Sequence, residues 1–144
     1  MDRKPGLILI ALIGALSAAA CGSFGPPPSC GETIGGTADE ALFSQTFDGM
    51  QLVNADTGLP GPEGENGMGF ISGERLQLNF QNKSAVSVRL CIQPRGPGVI
   101  ALDLTQDLSA GDDSIAIGAI EPGTWVIRVI VDNTLVKNFP FEVR

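Results

Sequence analysis

The chain has no histidine, no tyrosine, one tryptophan and only nine lysines and arginines in 144 residues. Each shortage excludes a class of function. Without histidine the usual general base, the commonest metal ligand and the side chain that ordinarily titrates near neutrality are all missing. Nine cations against 16 acids, a formal charge of -7 and a pI near 4.4 leave no basic stripe for phosphates. A nucleic-acid partner is therefore not expected. One Trp and no Tyr supply no row of aromatic platforms for sugar rings, so any pair of glycosidase carboxylates picked from the acids is arbitrary. No G-x-S-x-G, P-loop, H-E-x-x-H or Cys/His arrangement occurs. The sequence predicts a protein that is not an enzyme and carries neither cofactor nor metal.

Glycine and proline are plentiful, 19 and 10, and 43% of the residues are hydrophobic. That composition predicts one turn-rich globular domain. The first twenty residues read separately. Arg3 and Lys4 form a basic start, Leu7 to Leu16 an apolar run, and Ser17-Ala18-Ala19-Ala20 a small-residue stretch before Cys21. The uncharged run 6–20 is shorter than the about 20 apolar residues that a membrane-spanning helix needs. A cleaved export signal over 1–20 is the expectation.

Ala18-Ala19-Ala20-Cys21 resembles the lipobox of bacterial lipoproteins, with Ala18 where that pattern most often has Leu. The resemblance implies lipidation of Cys21, a membrane anchor, and an extracytoplasmic domain at the cell membrane or outer membrane. Ala18 and Ala20 also satisfy the small-x-small rule of ordinary secretory cleavage, which makes an unlipidated secreted chain the alternative. Residues 21–29, Cys21 followed by Gly22-Ser23-Phe24-Gly25-Pro26-Pro27-Pro28-Ser29, form a flexible and then stiff tether. Cleavage removes one acid, Asp2, and two bases, Arg3 and Lys4, so the formal charge moves from -7 to -8.

With Cys21 assigned to lipid, Cys30 and Cys91 remain, an even number in an oxidising setting. A Cys30–Cys91 disulfide is the expected pairing, with two inert thiols as the alternative. In Val86-Ser87-Val88-Arg89-Leu90-Cys91-Ile92 the aliphatic residues share one face and Cys91 lies with Ser87 and Arg89 on the other. The bridge is thus expected to pin the N-terminal segment to the outside or the edge of a sheet.

From about residue 70 onward, short alternating segments are punctuated by turns, the pattern of an all-β domain. Leu76–Phe80 and Val86–Ile92 alternate on either side of Asn82-Lys83-Ser84, which predicts a hairpin over 74–92. Ile100, Leu102 and Leu104 share a face, and Ser114–Ile117 follows a turn at Gly111-Asp112-Asp113. In Trp125–Val131 the residues Trp125, Ile127, Val129 and Val131 lie on one face, yet Val126 and Ile130 make the other apolar too, as in a central strand. Asp132-Asn133 suits a tight turn. Pro140 places the last strand, around Phe139, Phe141 and Val143, at a sheet edge. Ala38–Phe47 fits a short helix or a strand equally.

The segment Pro122-Gly123-Thr124-Trp125-Val126-Ile127-Arg128-Val129, a turn, then Leu135-Val136 and Pro140-Phe141-Glu142-Val143, resembles the last hairpin of immunoglobulin-like and fibronectin type III-like bacterial surface domains. The resemblance implies a β-sandwich of about seven strands over 30–144. Trp125 stands where such domains more often carry a Tyr whose hydroxyl ties down the corner, which leaves that bond in question.

Gly58, Gly61, Gly64 and Gly67 repeat every third residue, far too few triplets for a collagen helix. A long flexible loop at 54–69 is expected instead, and such loops are where small domains carry binding residues. Leu59, Pro60, Glu63 and Glu65, with the adjacent Met68 and Phe70 as apolar contacts, are the candidate binding residues. Asp103, Asp107, Asp112 and Asp113 form no calcium loop and read as solvated or turn-forming acids. Arg89 and Arg128 are expected on an outer sheet face. The resulting expectation is a lipid-anchored binding or accessory module of the cell envelope, in contact with an envelope protein or ligand; a structural spacer is the alternative.

Overall fold

Where every second side chain is apolar, a strand has one face to bury, and two sheets of such strands bury each other's. A computed structural model of the protein describes Cys30 and residues 37–144. The expected signal region, Cys21 and the tether to Ser29 lie outside the described residues. A short helix α1 (Glu40–Thr46) precedes β1 (Phe47–Asn54), β2 (Glu63–Gly64), β3 (Gly67–Phe70), β4 (Leu76–Asn82), β5 (Val86–Pro94), β6 (Leu102–Leu108), β7 (Gly111–Gly118), β8 (Gly123–Val131) and β9 (Thr134–Val143). The fold is all-β: a three-stranded sheet, β1-β4-β7, faces a six-stranded sheet, β2-β3-β9-β8-β5-β6.

The core lies between the sheets. Leu52, Leu78, Phe80 and Ile115 come from the smaller sheet, and Val88, Leu90, Ile92, Ile127, Val129 and Phe141 from the larger. Phe47 packs on Phe80 at 5.8 Å between ring centroids. Edge-on contact of Phe70 with Phe141 closes the far end.

Two expectations about pairing are corrected. β4 and β5 alternate as predicted but do not form a hairpin; they belong to different sheets. Alternation says only that each strand has a buried face. Here both faces meet across the core, so the chain crosses from sheet to sheet at residues 83–85. Asn82 ends β4 in a buried position and donates from Nδ2 to the Ser109 carbonyl at 2.8 Å.

The last strand is not an edge strand. β9 pairs with β8 on one side and, in parallel, with β3 on the other, Met68 opposite Phe141 and Phe70 opposite Val143. Pro140 is tolerated because β3 joins only from Phe141 onward. The Pro140 carbonyl faces Gly67, so its donorless nitrogen points to the same side, just short of that ladder. A Cβ on Gly67 would collide with this carbonyl, and Gly67 has φ +94°. The other half of the β9 edge is covered by α1. Asp39 caps that helix by accepting from the Leu42 amide at 2.8 Å, and its own amide donates to the Leu135 carbonyl at 2.8 Å. Lys137 of β9 reaches over the Phe43 ring of the helix at 5.6 Å.

β8 is central, between β5 and β9. Its turn into β9 uses Asp132 and Asn133 at φ 50° and 58°, the left-handed pair that a two-residue hairpin of type I′ requires. The second apolar face of β8 is covered as well. Ile130 and Leu135 form a small buried cluster with Cys30 and Cys91, against which Ala38 and Ile100 pack. Cys30 and Cys91 are bridged, with Cα atoms 5.8 Å apart. The disulfide therefore lies on the outer face of the larger sheet and fastens the N-terminal segment over it.

The registers align the strand ends into two poles. Asn54, Leu76 and Gly118 meet at one end of the small sheet, and Phe70, Pro94, Leu102, Gly123 and Val143 at the corresponding end of the large one. This pole carries the segments 55–62, 71–75, 95–101 and 119–122; the opposite pole has the tight turns 83–85, 109–110 and 132–133.

Replacing Gly67 by Ala is expected to cost about 2 kcal/mol or more, because the backbone is left-handed and the Cβ meets backbone. Urea unfolding measures the cost, and faster amide exchange at 68–70 would show that β3 has left β9. Reducing the Cys30–Cys91 bridge removes up to roughly 4 kcal/mol on the chain-entropy model. It also uncovers Ile130 and Leu135, so the urea midpoint falls and dye binding to apolar surface rises. An unchanged midpoint would show that the bridge constrains nothing.

Candidate functional site

Asn54 ends β1 and organises the loop after it. Its Oδ1 accepts from the amides of Asp56 and Thr57 at 2.8 and 3.2 Å, and its Nδ2 donates to Glu74 Oε1 at 3.0 Å. The other oxygen of Glu74 accepts from the Ile71 amide at 2.7 Å. The Ala55 amide donates to the Arg75 carbonyl at 2.7 Å, and the Arg75 guanidinium pairs with Asp56. Two loops from different parts of the chain are thereby locked together. The expected flexible loop at 54–69 is instead pinned, and its second half holds the strands β2 and β3.

Between the locked loops lies a cleft of about 480 Å³, within the usual range of ligand sites. Leu59, Pro60, Pro62, Phe70 and Ile71 supply its apolar wall, and Glu63, Glu74 and Arg144 the charged rim. Leu59 and Ile71 are 65% and 69% exposed. Two of the triplet glycines act here as close-packing positions. Gly61 lies against the Gly69 carbonyl, and Gly67 against Pro140.

Four of the six residues expected from the sequence line this cleft: Leu59, Pro60, Glu63 and Phe70. Phe70 is 4% exposed and belongs to the core floor, so it supports the site more than it presents a surface. Met68 packs against the core from β3 and is absent from the cleft wall. Glu65 is exposed in the turn between β2 and β3 and is likewise absent from the wall. Sequence reasoning missed Ile71, Glu74 and Arg144. Ile71 sits outside the alternation of β3 and β4, and an apolar residue beside Ser72-Gly73 was the signal available. Glu74 joins the site through the β1–β4 pairing that sets it beside Asn54, and Arg144 through the β3–β9 pairing; no local pattern announces either.

Two other surfaces carry polar groups. On the outer face of the small sheet Gln51, Gln77, Asn79, Gln81, Asp112 and Ser114 line a trough of about 670 Å³, and Gln77 donates to Asn79 at 2.7 Å. On the outer face of the large sheet Arg89 grips Asp103 with two bonds of 2.8 Å. Arg89 thus lies outward as expected and has an intramolecular partner. Cys30, Cys91 and Asp103 bring their sulfurs and oxygen within 4.8 Å of one another. Both sulfurs belong to the disulfide and the carboxylate to Arg89, so the cluster is accounted for by pairing.

Asp103, Asp113 and Asp56 are held below the ordinary carboxylate range. The guanidinium hydrogen bonds of Arg89 do this for Asp103, against the opposing effect of burial. The amides of Ser109 and Ser114 do it for Asp113, and Arg75 for Asp56. Asp113 therefore anchors the β6–β7 turn. At the pole with the cleft, the Trp125 indole donates from Nε1 to the Glu121 carbonyl at 2.9 Å. This bond ties the turn at Glu121–Gly123 to the start of β8.

Among the described residues no helix is long and apolar enough to cross a membrane. The chain matches none of the protein-family models, and no curated protein matches it either.

A carboxyl whose folded pKa is depressed stabilises the fold fully above its unfolded value, about 3.9 for Asp, and loses that contribution as pH falls through the lower folded value. The protein is thus expected to lose stability on acidification below about pH 4. Asp103→Asn is expected to be less stable at neutral pH and to lose less between about pH 6 and about pH 3, as read from urea midpoints. An acid loss parallel to that of the parent protein would remove Asp103 from this account.

Proposed function

We propose that the protein is a lipid-anchored, extracytoplasmic accessory module of the cell envelope. On this reading the signal over residues 1–20 is removed, Cys21 carries the lipid, residues 22–29 space the domain from the membrane, and an immunoglobulin-like sandwich presents one loop-bearing pole to another envelope component. The observation that carries the binding role is the cleft between the locked loops, with Leu59 and Ile71 exposed on its wall. An apolar site held in place by hydrogen bonds loses little conformational freedom when occupied, which favours binding. The exported setting is supported by the lipobox resemblance at Ala18–Cys21 and by the Cys30–Cys91 pairing. The immunoglobulin-like assignment is supported by strands β1-β4-β7 facing β6-β5-β8-β9.

Intact-mass analysis of the membrane fraction is expected to find a chain beginning at Cys21, carrying a diacylglyceryl group and lacking two hydrogens for Cys30–Cys91. A soluble, unmodified chain would overturn the anchored reading. A photo-crosslinker at position 59 is expected to give adducts in membranes, whereas one at position 133 on the opposite pole gives none. Equal labelling from both positions would remove the cleft pole as the contact surface.

A further inference from the structure

Leu59, Ile71 and Val99 are the exposed large apolar side chains among the described residues, at 65%, 69% and 85% exposure. They belong to three different loops, 55–62, 71–75 and 95–101, and all three loops emerge at the same pole. Scattered single apolar residues on a surface need no explanation, but their confinement to one end does. The opposite pole turns on Lys83-Ser84, Ser109-Ala110 and Asp132-Asn133.

The N-terminal segment is fastened near the middle of the large sheet. Cys91 is three residues from Pro94 and five from Val86, whereas its β8 neighbour Arg128 is five residues from Gly123 and three from Val131. Residues 22–29 separate Cys30 from Cys21, a chain that extends to roughly 30 Å at most. From this mid-sheet attachment an anchor of that length keeps the pole with the three apolar loops, about 10 Å from Cys91 along β5, within reach of the membrane that holds it.

We infer that the envelope component met by this pole is the lipid bilayer itself, with Leu59, Ile71 and Val99 seated at the boundary between headgroups and acyl chains. This deepens the proposed function and rests on its lipid anchor. Three side chains alone hold a protein weakly at an interface, and a single lipid attachment is also strengthened by a second contact. The anchor raises the local concentration of the loops at the membrane, and the loops in turn fix which face of the domain looks outward. With a mature charge of -8, obtained from -7 by removing one acid and two bases, the contact is apolar and not driven by anionic lipid. It therefore resists added salt.

The test places an environment-sensitive fluorophore on Leu59→Cys, Ile71→Cys, Val99→Cys and the control Asn133→Cys, one at a time, in the lipidated protein. All four native residues lie in loops or turns, and near-ultraviolet circular dichroism checks each variant's fold. In vesicles of phosphatidylethanolamine and phosphatidylglycerol, emission from 59, 71 and 99 is expected to shift to the blue. Spin-labelled lipid quenches these positions, high salt leaves them unchanged, and position 133 stays open to aqueous iodide. Equal iodide quenching at all four positions in a vesicle-bound protein overturns the inference and leaves the anchored module intact. Shielding that develops only in native membranes, and not in lipid vesicles, assigns the pole to a protein and overturns it as well. Blue-shifted emission from the unlipidated Cys21→Ser chain without vesicles assigns it to a second copy. If the intact mass shows no diacylglyceryl group, the anchor fails first, and with it both readings.

Discussion

A strand that is apolar on both faces has to be covered twice, and β8 sets this requirement for the whole domain. Its inner residues, Ile127, Val129 and Val131, are met by the small sheet across the core. The outer Ile130 needs a second cover, which comes from Leu135, the Cys30–Cys91 bridge, Ala38 and Ile100. Leaving such a side chain in water forfeits about 1.5–3 kcal/mol. The disulfide is therefore placed by an apolar requirement as much as by a need to shorten the unfolded chain.

The same side of the sheet guides the next described segment. Asp39, whose amide binds the Leu135 carbonyl, leads into α1 beside β9. The helix protects one half of the β9 edge and β3 the other, so this strand exposes little of its unpaired backbone to other chains. Because β3 is borrowed from the connection between β1 and β4, the segments on either side of it, 55–62 and 71–75, are brought to one pole. The cleft between them follows from closing the sheet, and the Asn54–Glu74 and Asp56–Arg75 contacts then hold its shape.

Much of this was legible in the residues. The alternation in β4, β5 and β8, the Asp132-Asn133 turn and the outward position of Cys91 all follow from period and local turn chemistry. Pairing was legible only where a tight turn links partners, as β8 and β9 are linked. The same alternation in β4 and β5 was compatible with a hairpin, because a strand's buried face does not reveal whether its neighbour lies beside it or across the core. Pro140 suggested an edge for a sound reason, the missing donor, yet the chain needs only one unpaired position there and obtains it by starting β3 one residue later. For the cleft, Leu59, Pro60 and Glu63 stood out by composition, whereas Ile71 and Arg144 reach it through a parallel pairing between segments some seventy residues apart in the chain, and Glu74 through the β1–β4 ladder that sets it beside Asn54.

The sequence by itself determined the all-β class, the cysteine pair available for a bridge, and the acidic, histidine-free composition that narrows the chemistry. These depend on residue type and short-range period. The tertiary structure alone decided which sheet each strand joins, that the Gly-x-x-Gly stretch forms β2, β3 and one wall of a cleft, and that three exposed apolar side chains share a pole. Those outcomes depend on long-range backbone pairing, which is specified by the joint burial of many side chains and is not encoded in any one segment.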